Sequence, residues 1–285
     1  MILDFLKIAE GERVVVVAPH PDDESLGAAG VLLNHPIQTD VFVVSDGSLG
    51  NPAVEPAQMA ARRRAEFEAA MEIVRPSSFH WLGFPDAHLS EHPECAAAID
   101  FTRYTKAFLP WTESLHPDHR ALARFCLERI RSQGAPCKAY LYEVQAPFRS
   151  PTHFIDITDI VSRKRELVAC YESTLELYPQ DEVTLALNKF RSCQREEPDR
   201  WCECFLRVDT DGNVIPPTTP GAKMDVDLWD VSREAFANPI AGLSLAQKKA
   251  LLACRTQEDI EAFAEREGIA LNPWTYEALA MYAGD

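Results

Sequence analysis

The chain has 285 residues, with 28 lysines and arginines against 44 aspartates and glutamates, so its formal net charge is −16. This negative charge disfavours nucleic acids, anionic membrane surfaces and polyanionic substrates as partners. The N-terminus shows neither a signal peptide nor an apolar stretch long enough to span a membrane. We therefore expect a cytoplasmic protein, large enough for one domain with an extension, whose eight cysteines remain thiols.

Strands and helices alternate along the first half of the chain. Apolar runs and helical spacing predict strands at 13–19, 39–44, 77–82 and 138–144, and helices at 23–34, 55–74 and 118–132. A shorter amphipathic helix is predicted at 101–106. This alternation indicates βαβ units, so the expected fold is an α/β, Rossmann-like three-layer sandwich with a mostly parallel sheet.

Polar side chains follow the first predicted strand. Four consecutive valines, residues 14–17, suit a strand that is covered on both faces, and they lead into His20, Asp22, Asp23 and Glu24. Active sites of open α/β sheets lie at the carboxyl ends of their strands. The simpler interpretation of the three acidic residues is that they cap the helix that follows. No glycine-rich turn follows this strand, so dinucleotide binding is not indicated.

A second polar cluster, His116-Pro117-Asp118-His119, lies about a hundred residues further along the chain. Taken alone, it could be a pair of surface histidines at the start of a helix that Asp118 caps. Taken with the first cluster, it completes a set of three nitrogen and oxygen ligands, namely His20, Asp23 and His119. Three protein ligands with a fourth position open to water are typical of catalytic zinc. Asp22 is then free to act as a base.

These two clusters resemble the motifs of the PIG-L/LmbE-like family of zinc-dependent de-N-acetylases, which act on N-acetylglucosamine-type groups. Three further segments in the family's order resemble its motifs: Val44-Ser45-Asp46-Gly47, Arg63-Arg64-Ala65-Glu66 and Leu82-Gly83-Phe84-Pro85-Asp86. The resemblance covers roughly residues 12 to 172. A strand at 154–158 and a helix at 164–171 also resemble the family, which places the catalytic domain at residues 1–207.

The resemblance implies specific roles for these residues. Zinc would be held by His20, Asp23 and His119, although iron, cobalt or nickel would also suit two nitrogens and one oxygen. Asp22 would be the general base for a metal-activated water. His116 would contact the reacting carbonyl, and Asp118 would orient an imidazole. Either Asp22 or His116 could protonate the leaving amine.

Substrate contacts are less defined by the sequence. Arg63 is expected to bond sugar hydroxyls, with a solvated helix face as the alternative. Asp46 either touches the site or caps a turn. Glu24 is placed with the substrate-binding residues in a supporting role. Cys202 and Cys204, with Cys193 nearby, leave a small metal site as a minor alternative to free thiols.

The sequence thus predicts a hydrolase that removes an acetyl group from an N-acetylglucosamine-type amino sugar or glycoconjugate. The alternatives are a deacetylase for another N-acyl compound, such as an antibiotic or a polyamine, and a non-catalytic metal- and sugar-binding protein. Residues 208–285 are expected to form a partly helical C-terminal extension, with helices at 244–254 and 257–267. Its apolar stripe would pack onto the catalytic domain, cover the site or contact a second subunit, so a homo-oligomer is possible.

Overall fold

The computed structural model describes residues 3–144, 146–218 and 243–269, apart from residues 252 and 255. The chain divides into two compact units, residues 1–223 and 224–285. The first unit extends past the predicted boundary at residue 207 because the chain folds back after its last strand. There, the backbone N–H and the hydroxyl of Thr218 donate to Asp4 Oδ2 at 2.7 and 2.9 Å. No helix in the described ranges is long and apolar enough to cross a membrane.

The described residues of the first unit contain one eight-stranded sheet. Its strands are β1 (Asp4–Phe5), β2 (Val14–Ala18), β3 (Thr39–Ser45), β4 (Ser78–Phe84), β5 (Lys106–Leu109), β6 (Lys138–Tyr142), β7 (His153–Asp156) and β8 (Cys202–Val208). Their order is β1-β7-β8-β6-β5-β2-β3-β4. Only β8 runs antiparallel to its neighbours; the other adjacent pairs in this sheet are parallel. The predicted mostly parallel sheet is therefore confirmed.

Helices cover both faces of this sheet. They are α1 (Asp23–Gly27), α2 (Ala29–Asn34), α3 (Pro56–Val74), α4 (Pro117–Ser132), α5 (Val161–Ala169), α6 (Glu172–Leu175) and α7 (Gln180–Gln194). Val14 and Val16 pack with α2, α3 and α5 on one face, whereas Val15 and Val17 pack with α4 on the other. Successive side chains of a strand point to opposite faces, so a run of four valines serves both layers. The predicted α/β sandwich is confirmed.

The segment between β4 and β5 differs from its prediction. Instead of a helix at 101–106, the chain forms a short 3₁₀ turn at Phe101–Arg103 and then enters β5. Phe101 is fully buried, and Asp100 caps the turn by accepting a hydrogen bond from Thr102 N. The apolar residues here belong to a buried turn and a strand. The stretch is too short for its sequence pattern to distinguish these elements from an amphipathic helix.

The helix predicted at 23–34 is broken at Ala28, where φ is −137°. Glycines on both sides of the break allow the backbone to approach the sheet closely. A Cβ at Gly27 would lie 2.3 Å from the ring of Tyr142, and one at Gly30 would lie 2.7 Å from Ile155. Because of the break, the two short helices α1 and α2 both lie close to the sheet, next to the first polar cluster.

The second unit is described only in its helical part. It contains α8 (Leu245–Leu251) and α9 (Gln257–Glu267), and Thr256 caps α9 in a reciprocal capping box with Asp259. Leu251, Phe263 and their neighbours form a small core of their own. The two predicted helices are present within these residues. The predicted packing or subunit role of residues 208–285 stays a prediction.

Candidate active site

Polar side chains gather at the carboxyl edge of four neighbouring parallel strands. His20 follows β2, Asp46 follows β3, Asp86 follows β4, and His116 lies beyond β5 at the start of α4. The order of these strands in the sheet, β5-β2-β3-β4, brings the four segments side by side. The two clusters that the sequence separates by about a hundred residues are therefore joined at one edge of the sheet.

His20, Asp23 and His119 meet at a single carboxylate oxygen. His20 Nδ1 and His119 Nε2 each lie 3.1 Å from Asp23 Oδ2. All three residues are buried, with exposed fractions of 9%, 3% and 1%. The structure thus brings the three predicted metal ligands together, with two ring nitrogens and one carboxylate oxygen converging.

One atom of this cluster has an unmet bonding capacity. The Nε2 of His119 is buried and makes no hydrogen bond among the described residues, because its approach to Asp23 lacks hydrogen-bond geometry. A buried polar atom without a partner is costly in a protein interior. A cation bound at this nitrogen would satisfy it.

The charge of the surroundings also favours a cation. The buried carboxylates of Asp22, Asp23, Asp86 and Asp118 lie here together with the guanidinium of Arg63, and a fifth buried carboxylate, that of Glu24, lies beside Asp22. Although burial opposes ionisation, His119 and His20 hold the pKa of Asp23 well below its ordinary value. Negative charge buried in this way requires a counterion. The residues therefore fit a divalent metal ion.

His20 is held by two further carboxylates on its other ring nitrogen. Its Nε2 lies 3.2 Å from Asp86 Oδ1 and 3.3 Å from Asp118 Oδ2. Two acceptors at Nε2 place a proton on that nitrogen, and Nδ1 is the ring nitrogen that faces Asp23. Burial opposes protonation of His20, yet Asp118, Asp23 and Asp86 raise its pKa well above the ordinary value. This end of the ring is built to carry positive charge.

His116 lies against the same group but is bonded differently. Its ring centroid is 4.6 Å from that of His20 and 5.3 Å from that of His119. As the N-cap of α4, it accepts a hydrogen bond from Asp118 N at Nδ1, at 3.3 Å. Nε2 of the neutral ring then carries the proton. Burial and the two neighbouring imidazoles lower the pKa of His116.

The ligand atoms of His20, His116 and His119 also lie within 4.8 Å of one another, which makes a three-histidine site a geometric alternative. The N-cap hydrogen bond argues against this alternative, because it occupies Nδ1 of His116 and leaves a donor at Nε2. We therefore favour Asp23 over His116 as the third ligand. His116 is better placed to donate a hydrogen bond.

Asp22, the predicted base, is fixed by two donors. Thr174 Oγ1 donates to its Oδ2 at 2.8 Å, and Arg63 Nη2 donates to the same oxygen at 3.1 Å. Burial raises the pKa of Asp22, and the charge of Arg63 partly offsets that rise. Arg63 is only 5% exposed. The guanidinium is directed at the base, so its expected bonding to sugar hydroxyls has no support from these contacts.

Glu24 is completely buried, and its contacts fit the supporting role that the sequence gave it. Its carboxylate accepts hydrogen bonds from the hydroxyls of Ser25 and Tyr171 and from Asp22 N, the last at 3.2 Å. Burial raises the pKa of Glu24 to about 7. Glu24 supports the turn that carries the base.

Asp46 acts as a turn cap. Its Oδ1 accepts hydrogen bonds from Ser48 N at 3.0 Å and from Asp86 N at 3.2 Å. Of the two alternatives that the sequence left open, these contacts favour the cap. Through Asp86, this cap also fixes a carboxylate that bonds His20.

The sequence interpretation missed the roles of Asp86, Thr174 and Tyr171. Asp86 was recognised as part of a motif, and its place after a predicted strand would have suggested a site residue. Thr174 and Tyr171 lie near the end of the recognised segment or beyond it, and no local pattern marks them. Cys202 and Cys204 are free thiols buried on β8.

Parts of the chain are similar to known proteins. Residues 15–130 match the family model described as PIG-L, GlcNAc-PI de-N-acetylase. The diacetylchitobiose deacetylase of Thermococcus kodakarensis is 27% identical over 194 residues, covering 60% of this chain and 72% of that protein. The region that the family model matches contains the metal-ligand candidates and the base.

Solved structures share the fold. The conserved protein TT1542 from Thermus thermophilus superposes with a TM-score of 0.58 and 25% identity, covering 68% of this chain and 93% of that chain. The N,N′-diacetylchitobiose deacetylase from Pyrococcus horikoshii superposes with a TM-score of 0.61 and 20% identity, covering 74% and 89%. These similarities extend beyond the region that the family model matches.

Proposed function

We propose that this protein is a metal-dependent hydrolase of the PIG-L family that removes an acetyl group from an N-acetylglucosamine-type amino sugar or glycoconjugate; the match of residues 15–130 to the family model supports this. The observation that carries this proposal is the convergence of His20 Nδ1 and His119 Nε2 on Asp23 Oδ2, at 3.1 Å each. The deacetylase relative and the placement of Asp22 beside these residues support it.

His20, Asp23 and His119 would hold the metal, which we propose to be zinc, with iron, cobalt or nickel as substitutes. A divalent ion supplies Lewis acidity, which makes water a stronger nucleophile near neutral pH. The remaining steps depend on the side chains. Asp86 and Asp118 keep the proton of His20 on Nε2 and thereby orient its ring.

Asp22 is the proposed general base. Its Oδ2 is engaged by Thr174 and Arg63, whereas Oδ1 accepts no hydrogen bond from the described residues. That oxygen can accept the proton of the water that attacks the acetamide carbonyl. Burial, which raises the pKa of Asp22, makes the carboxylate a better proton acceptor than an exposed aspartate.

His116 is the proposed donor to the carbonyl oxygen. Its Nε2–H is available because Nδ1 caps α4, and a donor placed there stabilises the negative charge that develops on the oxygen. The amine must be protonated before it leaves. Asp22, having accepted a proton, can return it to the nitrogen, and His116 is the alternative donor.

The test is acetate release by the zinc-loaded protein from a panel of N-acetylated compounds. The panel contains N-acetylglucosamine, its β-linked disaccharide, and N-acetylated polyamines and amino acids. Asp22→Asn is expected to lower kcat by roughly 10²- to 10⁴-fold, the usual contribution of a general base. Asp211→Asn is the matched control, because Asp211 is an exposed aspartate that pairs only with Arg131 in the described ion pairs.

The outcomes separate the alternatives. Release from the amino sugars that Asp22→Asn abolishes supports the proposal, and release only from other amides reassigns the substrate. If zinc binds but no compound is hydrolysed, the protein is a binding module. Metal-to-protein ratios for wild type and His119→Ala provide a separate check, since loss of one of three ligands should abolish stoichiometric zinc binding.

A further inference from the structure

Asp22 has an unusual backbone conformation. Its φ of 123° and ψ of −33° lie in a region that residues with a side chain rarely adopt. Such strain costs about 1–3 kcal/mol and persists only where the surroundings enforce it. The following helix holds the turn, because Ser25 N and Leu26 N both donate to Asp22 O at 2.9 Å.

The side chain of Asp22 does not cap this helix, although the residue occupies the N-cap position of α1. An N-cap aspartate ordinarily accepts a hydrogen bond from the first turn and stabilises the helix by about 1 kcal/mol. Here the carboxylate turns away from the first turn and bonds side chains of two other elements, Arg63 on α3 and Thr174 on α6. The turn therefore lacks the stabilisation of a side-chain N-cap, and the Asp22 carboxylate is instead held by Arg63 and Thr174.

The three groups form a closed triangle of hydrogen bonds. Arg63 donates through Nη1 to the hydroxyl of Thr174 and through Nη2 to Asp22 Oδ2. Since that hydroxyl accepts from the guanidinium, its single proton is directed to Asp22, 2.8 Å away. The triangle holds one carboxylate oxygen from two directions and leaves the other without a hydrogen bond from the described residues.

The helix that carries Thr174 is anchored by the same helix that carries Arg63. Ser173 donates its backbone N–H and its hydroxyl to the two oxygens of Glu66, at 2.8 and 2.6 Å. Glu66 follows Arg63 by three residues and lies on the same face of α3. The Arg-x-x-Glu segment thus bonds the base directly and also fixes α6.

We propose that Thr174 is a positioning residue for the general base, held in place by Arg63 directly and by Glu66 through Ser173. It sets the rotamer of Asp22 so that Oδ1 faces the reacting water. This inference rests on the proposed function, because it assigns Thr174 a role in that reaction. Thr174 lies outside residues 15–130, which the family model matches.

The test compares Thr174→Val, which keeps the shape but loses the hydroxyl, with Thr174→Ser, which keeps the hydroxyl. Misplacing a catalytic group by about 1 Å can cost about 10²-fold in rate, so we expect Thr174→Val to lower kcat by roughly 10- to 100-fold. KM and the zinc content should remain those of the wild type. Thr174→Ser should restore most of kcat.

Thr184→Val is the matched control for loss of a buried threonine hydroxyl. Thr184 lies on α7 and donates to Leu26 O at 3.1 Å, so its loss affects packing but not the base. We expect it to lower Tm as much as Thr174→Val does while leaving kcat unchanged. A crystal structure of Thr174→Val should show the Asp22 carboxylate in a different rotamer.

The two proposals fail in different ways. Active wild type with a fully active Thr174→Val overturns the positioning role alone, as does a Thr174→Ser variant as impaired as Thr174→Val. Wild type that releases no acetate from any compound overturns the proposed function and the inference with it. Retained kcat in Thr184→Val with reduced kcat in Thr174→Val supports the inference.

Discussion

A buried ion pair beneath the site should be essential to the stability of the first unit. Lys164 on α5 is fully buried, and its ammonium donates to Glu203 Oε1 at 2.7 Å, Leu26 O at 2.8 Å and Asn188 Oδ1 at 2.9 Å. The second oxygen of Glu203 accepts from Gly30 N at 2.8 Å. Together these bonds join α5, α7 and β8 to the break between α1 and α2.

Replacement of Lys164 by Met removes the ammonium and leaves the carboxylate of Glu203 buried without a counterion. Breaking a buried pair in this way costs about 3–5 kcal/mol. For a domain of this size each kcal/mol lowers Tm by roughly 2–4 °C, so Tm should fall by roughly 6–20 °C. Adding Glu203→Gln should recover part of the loss, because the amide is neutral and still accepts from Gly30 N.

The assay is a double-mutant cycle on the full chain, with urea unfolding at pH 7 followed by circular dichroism. Arg131→Met is the matched control, since Arg131 pairs with Asp211 at 2.9 Å while both side chains are more than half exposed. We expect that control to unfold like the wild type. A Lys164→Met variant as stable as wild type would refute the reasoning, and so would a double variant less stable than Lys164→Met.

Two further predictions concern His20 and His153. Asp86→Asn should weaken zinc binding by about 10- to 100-fold, because it removes a carboxylate that orients His20. Chelator competition measures the zinc affinity, with Asp211→Asn as the control. An unchanged zinc affinity in Asp86→Asn would contradict this prediction. Burial lowers the pKa of His153 to about 4. The unfolded state then binds more protons between pH 6.5 and 4, so acidification from pH 7.5 to 5 should cost about 2 kcal/mol through this group. Urea titrations at pH 7.5 and pH 5 should show a smaller loss of unfolding free energy in His153→Gln than in wild type or in His88→Gln, whose histidine is exposed. Equal losses in all three proteins would contradict the lowered pKa of His153.

The central part of the fold could be predicted because its signals are local. The four valines of β2 and the long helix α3 each carry a strong pattern, and the observed bounds Val14–Ala18 and Pro56–Val74 lie within a residue of the predictions. The break at Ala28 could not be predicted, since it depends on Gly27 and Gly30 meeting the sheet. Close approach between distant residues leaves no periodic pattern.

The outer strands show the same limit. β8 enters the sheet between β6 and β7 and runs antiparallel to both, although its sequence follows a long helical segment. Its register is set by hydrogen bonds to strands about fifty residues or more earlier in the chain. Strand pairing at that separation is a tertiary property, which composition and alternation do not encode.

The candidate site shows the same difference between local sequence signals and contacts between distant residues. The sequence predicts the groups that would hold the metal and move protons, because His20, Asp23 and His119 stand in short motifs. It said less about the groups that fix them. Glu24 lies under the turn, and Arg63 faces the base.

The reason is chemical. A metal ligand must be a particular residue type at a particular point, so its motif is short and recognisable. A supporting group needs only to place one donor or acceptor, and many residues can do that from many elements. Thr174 supplies a hydroxyl from α6, and Lys164 supplies an ammonium from α5.

Both supporting groups lie outside residues 15–130, and so do the strands β6, β7 and β8, which continue the sheet beyond β5. The matched region therefore contains the proposed ligands and base but not all the elements that hold the base in place. Without β6, the edge of β5 would be exposed, and without α6 the Asp22 carboxylate would lose its hydroxyl donor. The chemistry of this site is encoded in the first half of the chain, whereas its geometry depends on the segment from β6 to β8.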